Sequence, residues 1–103
     1  MENKVVLFPK AKSDLENIFK YIADDLVNTE AALKLISEFK VKFDELVLFP
    51  KAYPLIDNPK LEDKNLRRCL VENFLIVYRY IERSTTIEIV RVIHIKEDVL
   101  NVL

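Results

Sequence analysis

The last third of the chain carries three strand-like runs, Leu66 to Glu72, Leu75 to Ile81 and Thr86 to Ile95, separated by links of only a few residues. A parallel crossover needs a dozen residues or more, so these links allow only an antiparallel meander. Asn73 suits the left-handed conformation of the first tight turn, and Arg83-Ser84-Thr85 suits the second. An open antiparallel sheet must have one face covered. Whatever else the chain forms has to supply that cover.

Two helical stripes can do so. Ser13-Asp14-Leu15-Glu16 has the pattern of a capping box opening a helix. Leu15, Ile18, Phe19, Ile22 and Leu26 follow at helical spacing. Asn28 or Thr29 caps a second helix, whose stripe is Ala32, Leu35, Ile36, Phe39, Phe43, Leu46 and Val47, ending before Pro50. The short link between the stripes implies an antiparallel hairpin. Ahead of it, Val5-Val6-Leu7-Phe8 reads as a short strand stopped at Pro9. Lys51 to Asn65, with Pro54 and Pro59, reads as an irregular loop. The expected fold is α+β, in the order β-α-α-β-β-β, with the hairpin on one face of an antiparallel sheet. The other face is left for water or a partner. No linker or repeat divides residues 1–103, so a single domain is expected.

Composition narrows function. The chain has no glycine, which excludes the glycine-rich phosphate loops of most nucleotide-binding enzymes. One His and one Cys argue against a zinc site, and no metal or cofactor is expected. The lone Cys69 reads as a packing residue and agrees with a reducing cytosol. Met1-Glu2-Asn3-Lys4 leads into the first apolar run without a small-residue cleavage site, and no run is long enough to span a membrane. A cytoplasmic protein without a signal peptide is expected. At a net charge of −1, nucleic acid could be held only by a local basic cluster.

Several segments, in this order, resemble the RelE/ParE toxin superfamily over essentially the whole chain. They are Val5-Val6-Leu7-Phe8, Leu15-x-x-Ile18-x-x-Tyr21-Ile22, Phe49-Pro50 and Arg67-Arg68. The strongest are Phe74-Leu75-Ile76-Val77-Tyr78-Arg79 and Ile89-Val90-Arg91-Val92-Ile93-His94-Ile95-Lys96-Glu97-Asp98. The resemblance implies the toxin of a type II toxin–antitoxin system, a growth inhibitor of the kind that stabilises plasmids. It also implies a cognate antitoxin whose extended segment wraps the toxin, and a heterotetramer or larger complex with it. The expected activity is that of RelE-like members, which cut messenger RNA on the ribosome as metal-independent mRNA interferases. Two other readings are alternatives to it. ParE-like members poison DNA gyrase without chemistry of their own. A decayed toxin acting mainly as an antitoxin-binding partner is a third reading.

RNA cleavage requires cations on the scissile phosphate and a group that moves the 2′-hydroxyl proton. Strand alternation places Arg68 with Leu66 and Leu70, and Arg79 with Leu75, Val77 and Ile81. It places Glu88, Val90, Val92, His94 and Lys96 on one face of the last strand, and Arg91 among Ile87, Ile89, Ile93 and Ile95 on the other. Arg68, His94 and Lys96 are therefore the catalytic candidates, sharing the uncovered face with Arg79. Arg67, Arg79 and Arg91 are candidates for binding substrate or antitoxin. An arginine on an otherwise apolar strand must meet a carboxylate or water, and Glu88 and Glu72 are possible internal partners for Arg79 and Arg91. Ribonuclease members usually carry arginine where Leu75 stands and a tyrosine near Val102, and Lys96 lacks the bidentate fork of arginine. These departures weaken the RelE-like reading.

Overall fold

The computed structural model describes residues 2–103; Met1, where the N-terminal reading begins, lies outside them. Strand β1 (Lys4–Leu7) leads into helix α1 (Pro9–Lys20), which continues as a π-helical turn over Tyr21–Asp25. Helix α2 (Thr29–Leu48) follows, then β2 (Arg67–Val71), β3 (Phe74–Ile81), β4 (Thr86–His94) and a last short helix α3 (Val99–Val102).

The meander forms as expected: β2 pairs antiparallel with β3, and β3 with β4. The sheet is nevertheless mixed, with strand order β1-β4-β3-β2, because β1 lies parallel to β4. The helical hairpin makes this possible, being long enough to return the chain to the same end of the sheet.

Helix α1 begins five residues earlier than the capping-box reading placed it, with its N-cap at Phe8 and not Ser13. Phe8 is extended and Pro9 is the first helical residue, where a missing N–H does no harm and the fixed φ favours the helix. Asn28 caps α2, its Oδ1 accepting from the Ala31 N–H at 3.0 Å.

With no glycine available, three other residues take left-handed backbone: Val27 (φ 50°), Glu72 (φ 51°) and Thr85 (φ 50°). The turn between β2 and β3 thus rests on Glu72 and not on Asn73. Each such residue costs roughly 1–2 kcal/mol against the right-handed region. At Glu72 a second tension adds to this. Hydrogen bonding between the Glu38 and Glu72 carboxyls, with burial and like charge, pushes the Glu38 pKa up.

Two apolar clusters sandwich the sheet. On the helix side Ala11, Leu15, Leu35, Phe39 and Leu46 pack on Cys69, Val71, Ile76, Tyr78, Ile87, Ile89 and Val92. Phe39 is the hub, with its ring 6.0–6.3 Å from Phe19, Phe43 and Phe74. Tyr78 is fully buried and donates to the Pro50 carbonyl at 2.9 Å, which ties the post-helical loop to the sheet. The far face is not left for water or a partner as expected. Leu61, Leu66, Val77 and Ile93 are buried there beneath Ile56, Val99, Leu100 and Val102, so the 55–66 loop and α3 cover it. The apolar residues that do this are scattered singly among prolines and charges, with no period to announce them.

Phe39→Ala should lower unfolding stability by about 3–5 kcal/mol in denaturant titration. Glu72→Gly should raise it by about 1 kcal/mol, because glycine accepts the left-handed turn. In the same variant the Glu38 titration, followed by NMR, should move down towards the ordinary carboxylate range.

Candidate functional site

The sheet's basic residues sort into three environments. The sorting depends on an irregularity in β4. Val77 pairs with Arg91 but Tyr78 pairs with Ile89, so β4 holds one additional residue at Val90. Such a bulge changes the parity of every side chain beyond it. Ile87, Ile89 and Val92 all join the helix-side cluster, whereas Ile93 joins the far-side one. The alternation read from the sequence is therefore corrected: Val92 and His94 leave the face of Glu88 and Val90, and Ile93 leaves the face of Ile87 and Ile89.

At the bulge Arg91 meets the outer edge of the sheet. Strand β1 pairs only as far as Ile89, and the chain then turns into α1. Asp14, from the second turn of α1, takes the place of a neighbouring strand. Its Oδ2 accepts the Val92 N–H at 2.9 Å and Arg91 Nε at 2.7 Å, and its Oδ1 accepts Arg91 Nη2 at 2.9 Å. Arg91 Nη1 also donates to the Val102 carbonyl, which fastens α3 to the same point. The pair is largely buried, with 17% and 16% side-chain exposure. The bond to Asp14 outweighs burial and pushes the Arg91 pKa further up, so its charge is permanent.

Arg79 lies on the far face, directly opposite Glu88 on β4. Its Nε donates to Glu88 and its Nη1 to Asp63, both at 2.5 Å, and its guanidinium stands 5.7 Å from the Phe8 ring centre. The Glu88 bond leads the upward shift of its pKa. Arg67 holds the loop, donating to the Tyr53 carbonyl at 2.7 Å. All three candidate binding residues are thus committed within the chain.

The catalytic candidates are not gathered on one face. Arg68 is exposed on the far side of β2, and its side chain has no hydrogen-bond or ion-pair partner among the described residues. His94 pairs with Phe74, which packs on Phe39, and lies edge-on to the Phe74 ring at 5.5 Å, on the helix side. Its Nδ1 accepts the Lys96 N–H at 3.1 Å, leaving Nε2 to carry the proton of the neutral ring. Lys96 is exposed in the turn after β4.

Residues 5–99 match the family described as the ParE toxin of the type II toxin–antitoxin system, parDE. The chain belongs to the ParE toxin family. The fold of this ParE-family toxin is also that of two solved structures. One is the chromosomal ParDE toxin–antitoxin system from P. aeruginosa, with TM-score 0.70 and 21% identity over 91% of this chain and 96% of that one. The other is the toxin–antitoxin complex RelBE2 from Mycobacterium tuberculosis, with TM-score 0.61 and 19% identity over 91% and 99%. No curated protein sequence matches it. Among the described residues no helix is long and apolar enough to cross a membrane, and no cluster of ligating side chains could hold a metal.

Sequence reasoning missed Asp14, Asp63 and Phe8 as partners of these arginines. Pro9 was the available signal for Asp14: a helix starting there puts Asp14 beyond the cap, free for a tertiary contact. No local signal marks Asp63. A ParE-family toxin held together this way should respond sharply to Asp14→Ala, which leaves a buried arginine and the Val92 N–H unpaired. Roughly 3–5 kcal/mol should be lost, against under about 0.5 kcal/mol for Arg68→Ala, as read by chemical denaturation.

Proposed function

We propose that this ParE-family toxin acts as ParE-like toxins do, by binding DNA gyrase without performing chemistry, and that a cognate antitoxin silences it. The commitment of Arg67, Arg79 and Arg91 to partners inside the chain carries this reading. Phosphoryl-transfer catalysis needs unpaired cations aimed at one reacting centre. Among the described residues Arg68 is the one sheet arginine whose side chain has no partner, and His94 and Lys96 are not on its face. Leu75 and Val102, in the positions where ribonuclease members usually carry arginine and tyrosine, are packed in the far-side cluster.

The antitoxin reading draws on the outer side of α2. Leu33, Val41 and Leu48 recur there at seven- and eight-residue spacing, and all are exposed. An amphipathic segment laid along them would cover these apolar side chains, and an extended continuation wrapped round to the far face would meet Arg68, which has no partner among the described residues. A heterotetramer or larger complex follows the family pattern, and the cytoplasm is where gyrase would be met.

The test pairs two assays on the purified chain: supercoiling by DNA gyrase, and primer extension on ribosome-translated message. Inhibition of supercoiling with intact message is the expected result. Cleavage of message that falls about 10²–10⁴-fold in His94→Ala, the range for removal of a proton-transfer group, would instead make the chain a ribonuclease with His94 in its site, and the same loss in Arg68→Ala and Lys96→Ala would add those residues to it. Silence in both assays, with antitoxin binding retained, would mark a decayed toxin.

A further inference from the structure

We infer that the tip of the α1–α2 hairpin, Tyr21 to Glu30, is a rigid knob that inserts Leu26 and Val27 into an apolar socket with a basic rim on the toxin's protein target. The inference rests on the reading above that the target is a protein.

Three observations converge on the tip. Tyr21, Leu26 and Val27 are 54%, 55% and 84% exposed within seven residues, although nothing about a helix connection calls for apolar side chains there. The backbone presenting them is fixed. The Leu26 N–H bonds to the Tyr21 carbonyl at 3.1 Å in the π-helical turn, the Asn28 N–H bonds to the Ile22 carbonyl at 3.1 Å, and the Asn28 side chain caps α2. Val27 holds a left-handed conformation that is costly for a β-branched residue and that Asn or Gly would adopt more readily. An exposed, strained and well-bonded apolar tip has its contact geometry set before binding, which lowers the entropy lost on association.

The charge around the tip selects the partner. Asp24, Asp25 and Glu30 are exposed there and form no ion pair among the described residues, and the cations on the flanking turns, Lys20 and Lys34, are outnumbered by them. A socket ringed by Lys or Arg complements this pattern, and a nucleic-acid backbone does not. Shape separates target from antitoxin. A flexible segment folds into grooves and along strand edges, whereas a convex rigid knob needs a concavity already formed, as on a folded protein.

The experiment uses the full chain, expressed inducibly in a bacterial host and also purified. Leu26→Ser combined with Val27→Asn removes the apolar tip while keeping a residue that tolerates the left-handed turn. Asp24→Lys combined with Asp25→Lys reverses the rim. Each variant should melt at or above the native temperature and bind the antitoxin within about threefold of native. Each should need about 10- to 100-fold more protein for growth arrest and for inhibition of purified DNA gyrase, as for loss of a hot spot. Undiminished growth arrest by the folded variants would overturn the knob, and so would a parallel loss of antitoxin affinity. Loss of growth arrest in variants of a native chain that leaves gyrase untouched would keep the knob and overturn gyrase as its target. A native chain that arrests no growth would overturn both.

Discussion

The contact on which the rest of the structure depends is the carboxylate of Asp14 at the unpaired edge of β4. Where β1 stops, β4 would present backbone N–H groups to an apolar surround, and an unpaired buried donor costs about 1–3 kcal/mol. Asp14 accepts the Val92 N–H and grips Arg91 with both oxygens, so one side chain closes the edge and neutralises a buried cation. The bulge at Val90 is what brings Arg91 to that edge. Because Arg91 also holds the Val102 carbonyl, the same point anchors the cover of the far face. The helix layer, the sheet edge and the C-terminal helix meet at a single ion pair.

This arrangement decides what the basic residues are free to do. A sequence with arginines on three adjacent strands invites a phosphate site. In the folded chain two of them neutralise Asp14, Asp63 and Glu88, and a third braces the loop after α2. A guanidinium held by carboxylates in the same chain offers little net charge to RNA. Apart from Arg68 and scattered lysines, the surfaces of note that remain are the apolar outer side of α2 and the apolar, acidic hairpin tip. They suit protein partners, in keeping with membership of the ParE toxin family.

Much of the fold was legible because its signals are local. The stripes through Leu15, Leu35 and Phe39 and the short links between the last three strands each depend on neighbours in sequence. So does the Asn28 cap. The errors lie where distant residues decide. Whether β4 carries a bulge depends on how Ile89 and Arg91 pair with β3, which no pattern within β4 reveals, and that one residue moved His94 to the opposite face. Ser13-Asp14-Leu15-Glu16 satisfies the form of a capping box, but Pro9 starts the helix earlier and Arg91, 77 positions away, claims the aspartate. Glu72 takes the left-handed position that Asn73 suited better, so local preference there yielded to the register of the hairpin.

The central claim is that Arg67, Arg79 and Arg91 build the toxin and take no part in its action. Replacing the buried pair by an uncharged one, Asp14→Asn with Arg91→Met, tests it most directly. Asparagine keeps an acceptor for the Val92 N–H, and methionine fills the space of the arginine stem, so the fold should survive. The measurement is growth arrest on induction, set beside the melting temperature. A folded double variant that arrests growth as the native chain does is the expected result. A folded double variant that has lost growth arrest would contradict the account and return Arg91 to the functional site.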